Sequence, residues 1–238
     1  MTIDFPARPP DTKKQLFERL RVILQHGPYE MPDISRYGGH GGPGCLLEDL
    51  FGLKVGSQAI ADSVGWELKY YTEKTNLITL FHRRALPVGI MRIIVRKWGW
   101  RDKKGRMSFR HTIAGKTDRY KVVVNGELIR VLPRKGNGVI PYWTRNDLLN
   151  IIGSKLRRLI LIRGEKRGRS VTFKMADCYE NLHMDLFVEE LERGTVCIDF
   201  DARERTANSP GLRNHGTKFR IHPDDVHRLY MKKERVVI

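Results

Sequence analysis

Residues 61–71 read ADSVGWELKYY. From Val64 onward the positions alternate. Val64, Trp66, Leu68 and Tyr70 fall on one side, and Glu67, Lys69 and Tyr71 fall on the other. A period of two is that of a β-strand whose bulky face meets a core. Glu67 and Lys69 then share a face, and Asp62, in the turn just ahead, can fold over it. Two carboxylates brought together repel, so one would ordinarily stay protonated. A divalent cation removes the conflict. Hard oxygen ligands suit Mg2+, which keeps part of its water shell and meets substrate phosphate with the rest. A nearby lysine can position the attacking water or help deprotonate it. Asp62, Glu67 and Lys69 therefore have the makings of a site that hydrolyses a phosphodiester. In a chain with 30% charged residues, the same spacing also fits a plain ion pair on a half-exposed strand.

The charge of the whole chain bears on that choice. Forty-four Lys and Arg stand against 27 Asp and Glu, a formal charge of +17 over 238 residues. Such a balance suits a polyanionic partner, nucleic acid first. The basic residues are spread through structured-looking segments, RKWGWRDKKGRMSFRH, RGEKRGRS and RERTANSPGLRNHGTKFR, and not gathered in a tail. No basic amphipathic helix with a large apolar face is apparent, which argues against a membrane-surface role. No apolar run approaches the length of a membrane span. The opening MTIDFPARPPDTKK has no signal-peptide character, so a cytoplasmic protein is expected. Cys45, Cys178 and Cys197 are odd in number and widely spaced, which fits free thiols better than a disulfide frame or a zinc knuckle. The histidines show no H-x3-H or HNH spacing. The glycine-rich RYGGHGGPG lacks the Lys-Ser/Thr of a phosphate loop, and reads as a bend.

The pattern of elements is α/β. KKQLFERLRVILQ, residues 13–25, puts Leu16, Phe17, Leu20, Ile23 and Leu24 on one helical face, with Asp11 or Thr12 as cap and Gly27-Pro28 as stop. CLLEDLFG reads as a short helix with Leu46, Leu47, Leu50 and Phe51 inward. LITLF is a strand. RYKVVVNGELIRVL is a hairpin with a type I′ turn at Asn125-Gly126. TRNDLLNIIG is a capped helix, and RLILIRGEKRGRSVTFKM two strands around a charged turn. NLHMDLFVEELERG is a helix ending at Gly194. TVCIDFDAR and TKFRI are strands separated by a polar loop, and HPDDVHRLYMKK is a closing helix. The sheet is expected to be mixed or mostly antiparallel. Length and the absence of a linker suit one sizeable domain or two tightly joined lobes, a single unit over residues 1–238.

An aspartate followed by GWELK resembles the signature of the PD-(D/E)xK nucleases. GGPGCLLEDL resembles the helix that precedes the signature in their MutH-like branch, and NLITLF and RNHGTKFRI are similar to segments of the MvaI/BcnI restriction endonuclease family. The likeness spans roughly residues 38–82 and 194–222. Ala61 stands where the signature often has proline. The resemblance implies a restriction-endonuclease-like fold, a mixed sheet flanked by helices, with two lobes clamping DNA. These are a catalytic lobe over about residues 1–120 and a recognition lobe over about 121–238. It implies Asp62, Glu67 and Lys69 as the catalytic triplet, Glu48 as a further catalytic acid with Asp49 as its adjacent competitor, and Asp62, Glu67 and Leu68 as the metal-holding positions. It also implies a type II, Mg2+-dependent endonuclease acting on double-stranded DNA as a monomer, without an obligate protein partner. The site would be a short pseudo-palindrome, CC-S-GG before CC-W-GG, cut one strand at a time. A MutH-like repair nickase and a non-catalytic nucleic-acid-binding protein are the alternatives.

Major-groove readout wants Arg or Lys for guanine and Asp or Glu for cytosine amines. Two segments offer these at exposed turns. One holds Asp33, Arg36 and His40. The other holds Asp201, Arg203, Arg205, Arg213, His215, Lys218 and Arg220. For any one arginine, a phosphate contact is the more common role than a base contact.

Overall fold

The computed structural model describes residues 5–53, 64–135, 140–205 and 211–237. In chain order, α1 (Lys13–Gln25) and the two-residue strand β1 (Tyr29–Glu30) lead to a 3-10 turn (Ser35–Tyr37) and α2 (Gly42–Leu50). There follow β2 (Glu67–Tyr71), β3 (Ile78–His82), α3 (Ile90–Trp98), β4 (Trp100–Arg101) and β5 (Met107–Ile113). Next come β6 (Tyr120–Asn125), β7 (Leu128–Pro133), β8 (Tyr142–Thr144), α4 (Arg145–Lys155), β9 (Arg158–Arg167) and β10 (Ser170–Leu182). The chain ends with α5 (Met184–Arg193), β11 (Val196–Glu204), β12 (Leu212–Ile221), a second 3-10 segment (Pro223–Leu229) and β13 (Tyr230–Val237).

The chain forms two compact units. One comprises Met1–Ile78, Ile151–His183 and Val226–Ile238, and the other Thr79–Asn150 and Met184–Asp225. A single boundary near residue 120 does not describe this division. β9, β10 and β13 return to the sheet that β2 belongs to, so each unit is assembled from separated stretches.

In the first unit the sheet order is β1-β10-β9-β2, with β13 also paired to β10. β2 runs parallel to β9, while β10 is antiparallel to β9 and β13. α1 behaves as its periodicity indicates. Leu16, Phe17, Leu20, Ile23 and Leu24 are all buried. Of the two cap candidates, Thr12 is the cap, and with Gln15 it closes a capping box. These residues join Leu46, Leu47, Leu50 and Phe51 from α2 and its end, and Trp66 and Leu68 from the β2 stretch, in one core. α2 begins three residues earlier than CLLEDLFG suggests, taking Gly42 and Pro43 into its first turn. Gly42 is required there, because a Cβ would stand 2.2 Å from the Tyr37 carbonyl oxygen. That close approach folds the 3-10 turn back onto α2.

The second unit holds a sheet of order β3-β12-β11-β5-β4 and a small sheet β6-β7-β8. Its core is aromatic. Phe81 stacks on Phe219 at 4.7 Å, and Trp143 meets Phe219 edge-on at 5.3 Å. The β6–β7 hairpin pairs Asn125 with Leu128, so its two-residue loop is Gly126-Glu127. Gly126 has φ +55°, whereas Asn125 and Glu127 are not left-handed. The pattern is that of type II′, one residue later than the Asn-Gly reading. The polar stretch after TVCIDFDAR is shorter than expected, since β11 runs to Glu204 and β12 starts at Leu212. The closing segment is not a helix. Pro223–Leu229 is 3-10, and Tyr230–Val237 is a strand completed by β10.

Candidate active site

The segment before β2 is anchored from both sides. Trp66 is fully buried, edge-on to Phe17 at 5.7 Å, with Lys13 Nζ 5.6 Å and the Arg158 guanidinium 5.9 Å from its ring. Ahead of it, Val64 (φ +50°) and Gly65 (φ +75°) make a left-handed pair. A β-branched residue in that region is strained, and the strain sits immediately before the motif. The parallel register sets Glu67 opposite Leu159 and Lys69 opposite Leu161. β2 is thus fixed along the edge that pairs with β9, Trp66 and Leu68 face the core, and Glu67 and Lys69 share the other face.

Glu67 is only 2% exposed. Its Oε1 forms an ion pair with the Lys69 ammonium. Its Oε2 is buried and has no hydrogen-bond partner among the described residues. A buried carboxylate oxygen without a donor is costly. A hard cation is one species that would satisfy it, and a carboxylate oxygen is the donor Mg2+ prefers. The side chain of Leu68 lies in the core, so only its main-chain oxygen could face a metal. Among the described residues no group of three or more His, Cys, Asp or Glu forms a metal cluster. Asp62, the remaining acid of the triplet, lies outside the described residues.

α2 packs on β2 and presents two neighbouring acids. Glu48 lies within electrostatic range of Lys69 and Glu67. Burial is the main cause raising its pKa. Arg36 and Lys69 draw it down, while Asp49 and Glu67 push it up. Asp49 is turned elsewhere. It accepts hydrogen bonds from Arg36 Nε (2.9 Å), Arg36 Nη2 (2.7 Å) and the Tyr37 hydroxyl (2.6 Å). Burial, reinforced by the bond to Asp49, lifts the Tyr37 phenol to about 12.

The residues singled out for DNA fall into two groups, one in each unit. In the first unit Asp33 is exposed and paired with Arg169 Nη1 at 2.7 Å, while Arg169 Nε also donates to the Met31 carbonyl (3.0 Å). Arg36 is engaged by Asp49 as described, and His40 is exposed. In the second unit β11 and β12 carry an alternating charged face. Asp199 lies near Lys218 (3.8 Å) and Arg220 (3.3 Å), and Asp201 lies near Lys218 (3.8 Å). Arg203 and Arg213 are directly opposite each other across the two strands, with no ion pair to either among the described residues. Arg205 is exposed beyond Arg203, and His215 is exposed in the irregular stretch between Asn214 and Thr217.

Three residues of this face were not foreseen: Asp199 and, on β5, Arg110 and Thr112. Thr112 donates to Asp199 at 3.0 Å, and Arg110 Nε stands 3.3 Å from Asp201 Oδ1, near enough for attraction but not aligned as a hydrogen bond. The available signal was the alternation of Phe109, His111 and Ile113 with Arg110 and Thr112.

The restriction endonuclease MvaI in complex with its cognate DNA superposes with a TM-score of 0.78 at 20% identity, covering 94% of this chain and 97% of that one. MvaI in the absence of DNA gives 0.59 at 18% identity, with coverage of 97% and 99%. The architecture is therefore that of the restriction endonucleases. Comparison with curated protein sequences gives no match. The model of the MvaI/BcnI restriction endonuclease family matches residues 17–230, and the chain belongs to that family. It is a type II site-specific DNA endonuclease, and membership implies a divalent metal cofactor. No described helix is long and apolar enough to cross a membrane.

Proposed function

We propose that the protein is a Mg2+-dependent endonuclease that cuts a short G/C-rich pseudo-palindrome, CC-S-GG before CC-W-GG, one strand per binding event. The observation that carries the reading is Glu67, a buried carboxylate with Lys69 on one oxygen and, among the described residues, no donor on the other. Asp62, Glu67 and the main-chain oxygen of Leu68 would hold the metal, and Glu48 would complete the acidic set. When bound, the metal supplies positive charge to the scissile phosphate and lowers the pKa of the attacking water. Lys69, tied to Glu67, is placed to orient that water and to share the developing charge. Glu67 would hold the Lys69 ammonium in place through their ion pair.

The first unit would act as the catalytic lobe and the second as the recognition lobe. On β11 and β12, Arg203 and Arg213 form a like-charge cross-strand pair, which is unfavourable without an anion between them. A DNA phosphate or a guanine edge would supply acceptors there. Asp201 is suited to a cytosine amine, and Lys218, Arg220, Arg205 and His215 to guanines or phosphates. Asp33 and His40 would offer a second edge contact from the first unit. The protein would work as a monomer in the cytoplasm, where its three free thiols also fit a reducing environment.

The test is to incubate purified protein with plasmid, with and without Mg2+. Discrete fragments only with Mg2+, preceded by nicked circles, support the reading. Slow nicking that needs another protein would instead favour a repair nickase. The fragments' ends, once sequenced, give the site.

A further inference from the structure

Arg36 is one of the cations that sequence reasoning assigned to DNA, yet its guanidinium is already committed. Asp49 takes it in a two-point clasp, Nε to Oδ2 at 2.9 Å and Nη2 to Oδ1 at 2.7 Å. The Tyr37 hydroxyl closes on the same Asp49 Oδ2 at 2.6 Å. A two-point clasp fixes the plane of a guanidinium, and not merely its distance. The clasp exists because Gly42 lets the 3-10 turn bearing Arg36 and Tyr37 lie on the first turn of α2. In this fixed plane the same Nη2 also faces Glu48 Oε2 at 3.5 Å, the outer limit of a hydrogen bond.

From this arrangement we infer that Arg36 is a positioning residue for Glu48. Asp49 and Tyr37 hold the guanidinium still, and the guanidinium holds the Glu48 carboxylate in one orientation beside Glu67 and Lys69. Two adjacent acids on α2 thus have separate duties: Asp49 builds the support and Glu48 uses it. A glutamate with its side chain 41% exposed would otherwise sample several rotamers. The inference rests on the proposed active site, in that Glu48 must serve cleavage for its orientation to matter.

The experiment is a double-mutant cycle read by single-turnover cleavage of a cognate duplex under saturating enzyme and Mg2+. Duplex affinity is measured separately without metal at several salt concentrations. Arg36→Ala is expected to slow cleavage about tenfold while leaving the affinity and its salt slope unchanged. In a Glu48→Ala background the same change is expected to have less than about a twofold further effect, because the group it orients is gone. Arg36→Lys, which keeps the charge but not the fork, should recover only part of the rate. Asp49→Asn should slow cleavage in the same direction as Arg36→Ala. Should Arg36→Ala lose its native circular dichroism, the paired change Arg36→Gln with Asp49→Asn removes both charges together and carries the same readings.

Additive losses in the cycle, or a weakened affinity with a salt slope lessened by about one unit, would make Arg36 a DNA contact and overturn the inference while leaving the active site intact. Wild-type cleavage by Glu48→Ala would overturn it by a different route, through loss of Glu48 from the active site.

Discussion

Lys69 and Glu67, two residues apart on β2, form an ion pair in which the acid is buried and the base only partly so. One carboxylate oxygen is answered and the other, among the described residues, is not. A fold that placed stability first would not keep this arrangement, since an incompletely satisfied buried charge is unfavourable. Glu67→Gln removes that charge. In the presence of a chelator it is expected to leave the melting temperature equal to or above that of the wild type, while cleavage is abolished. Lys69→Ala is expected to lower the melting temperature, because it strands the carboxylate. A thermal melt of the three proteins in chelator checks the order; a Glu67→Gln protein less stable than Lys69→Ala would contradict it.

The acid limb of stability has a separate source. Burial alone would raise the Asp177 carboxyl, but hydrogen bonds from Arg235 and Lys233 on β13 more than offset it and leave the pKa below its ordinary value. Glu180 is likewise lowered against the effect of burial by Lys13 and Lys232. A carboxyl depressed in the folded state contributes stability that is complete above its unfolded pKa and is lost as pH falls through the folded value. Stability should therefore fall away below about pH 4, near and under the ordinary carboxylate range. Asp177→Asn should cost about 1–3 kcal/mol at neutral pH and flatten this acid limb. Urea unfolding across pH reads both effects.

Asp49 and Glu48 should separate by what they damage. Asp49→Ala deprives Arg36 and Tyr37 of their shared acceptor, so it should lower the melting temperature more than Glu48→Ala. Glu48→Ala should lower the cleavage rate more than Asp49→Ala. The two measurements on the two variants give opposite rankings if the division of labour holds, and the same ranking if it does not.

On the charged face of β11 and β12, substitutions should fall into two kinds. If Lys218 contacts a phosphate, its replacement should weaken binding of every sequence and lessen the salt slope by about one unit. Arg203→Ala should relax the site at one position, at about 1–3 kcal/mol. Removing either arginine of the Arg203–Arg213 pair should also raise the stability of the DNA-free protein, since like charges opposite each other repel. Equal loss of affinity for all sequences from every arginine of this face would place base readout elsewhere.

What could be read from the sequence divides along the range of the interactions. α1 was legible in its five core positions, and its cap to one of two adjacent residues, because its period and its cap are local. The face shared by Glu67 and Lys69 was legible for the same reason. HPDDVHRLYMKK misled, because Tyr230–Val237 becomes a strand only through β10, some fifty residues upstream. α3 went unassigned, since IMRIIVRKW follows Pro87 and Gly89 and is rich in β-branched residues that suit a strand equally well. The clasp on Arg36 was invisible for a related reason. It depends on Gly42 bringing two turns together, and an arginine in a basic chain gives no sign of being already held. The division into units escaped linear reading because three strands return to a sheet begun much earlier.

Under the proposed function, metal-dependent cleavage of one strand at a time depends on Glu67. Supercoiled single-site plasmid, followed with wild type and Glu67→Gln, enzyme in excess, with and without Mg2+, reads that dependence. The wild type with Mg2+ is expected to give nicked circles first and linear DNA after, at rates first order in the bound complex. Glu67→Gln is expected to bind the same DNA and cut neither strand. Cleavage by Glu67→Gln at the wild-type rate, or linear product rising with no nicked intermediate and second order in enzyme, would contradict the account.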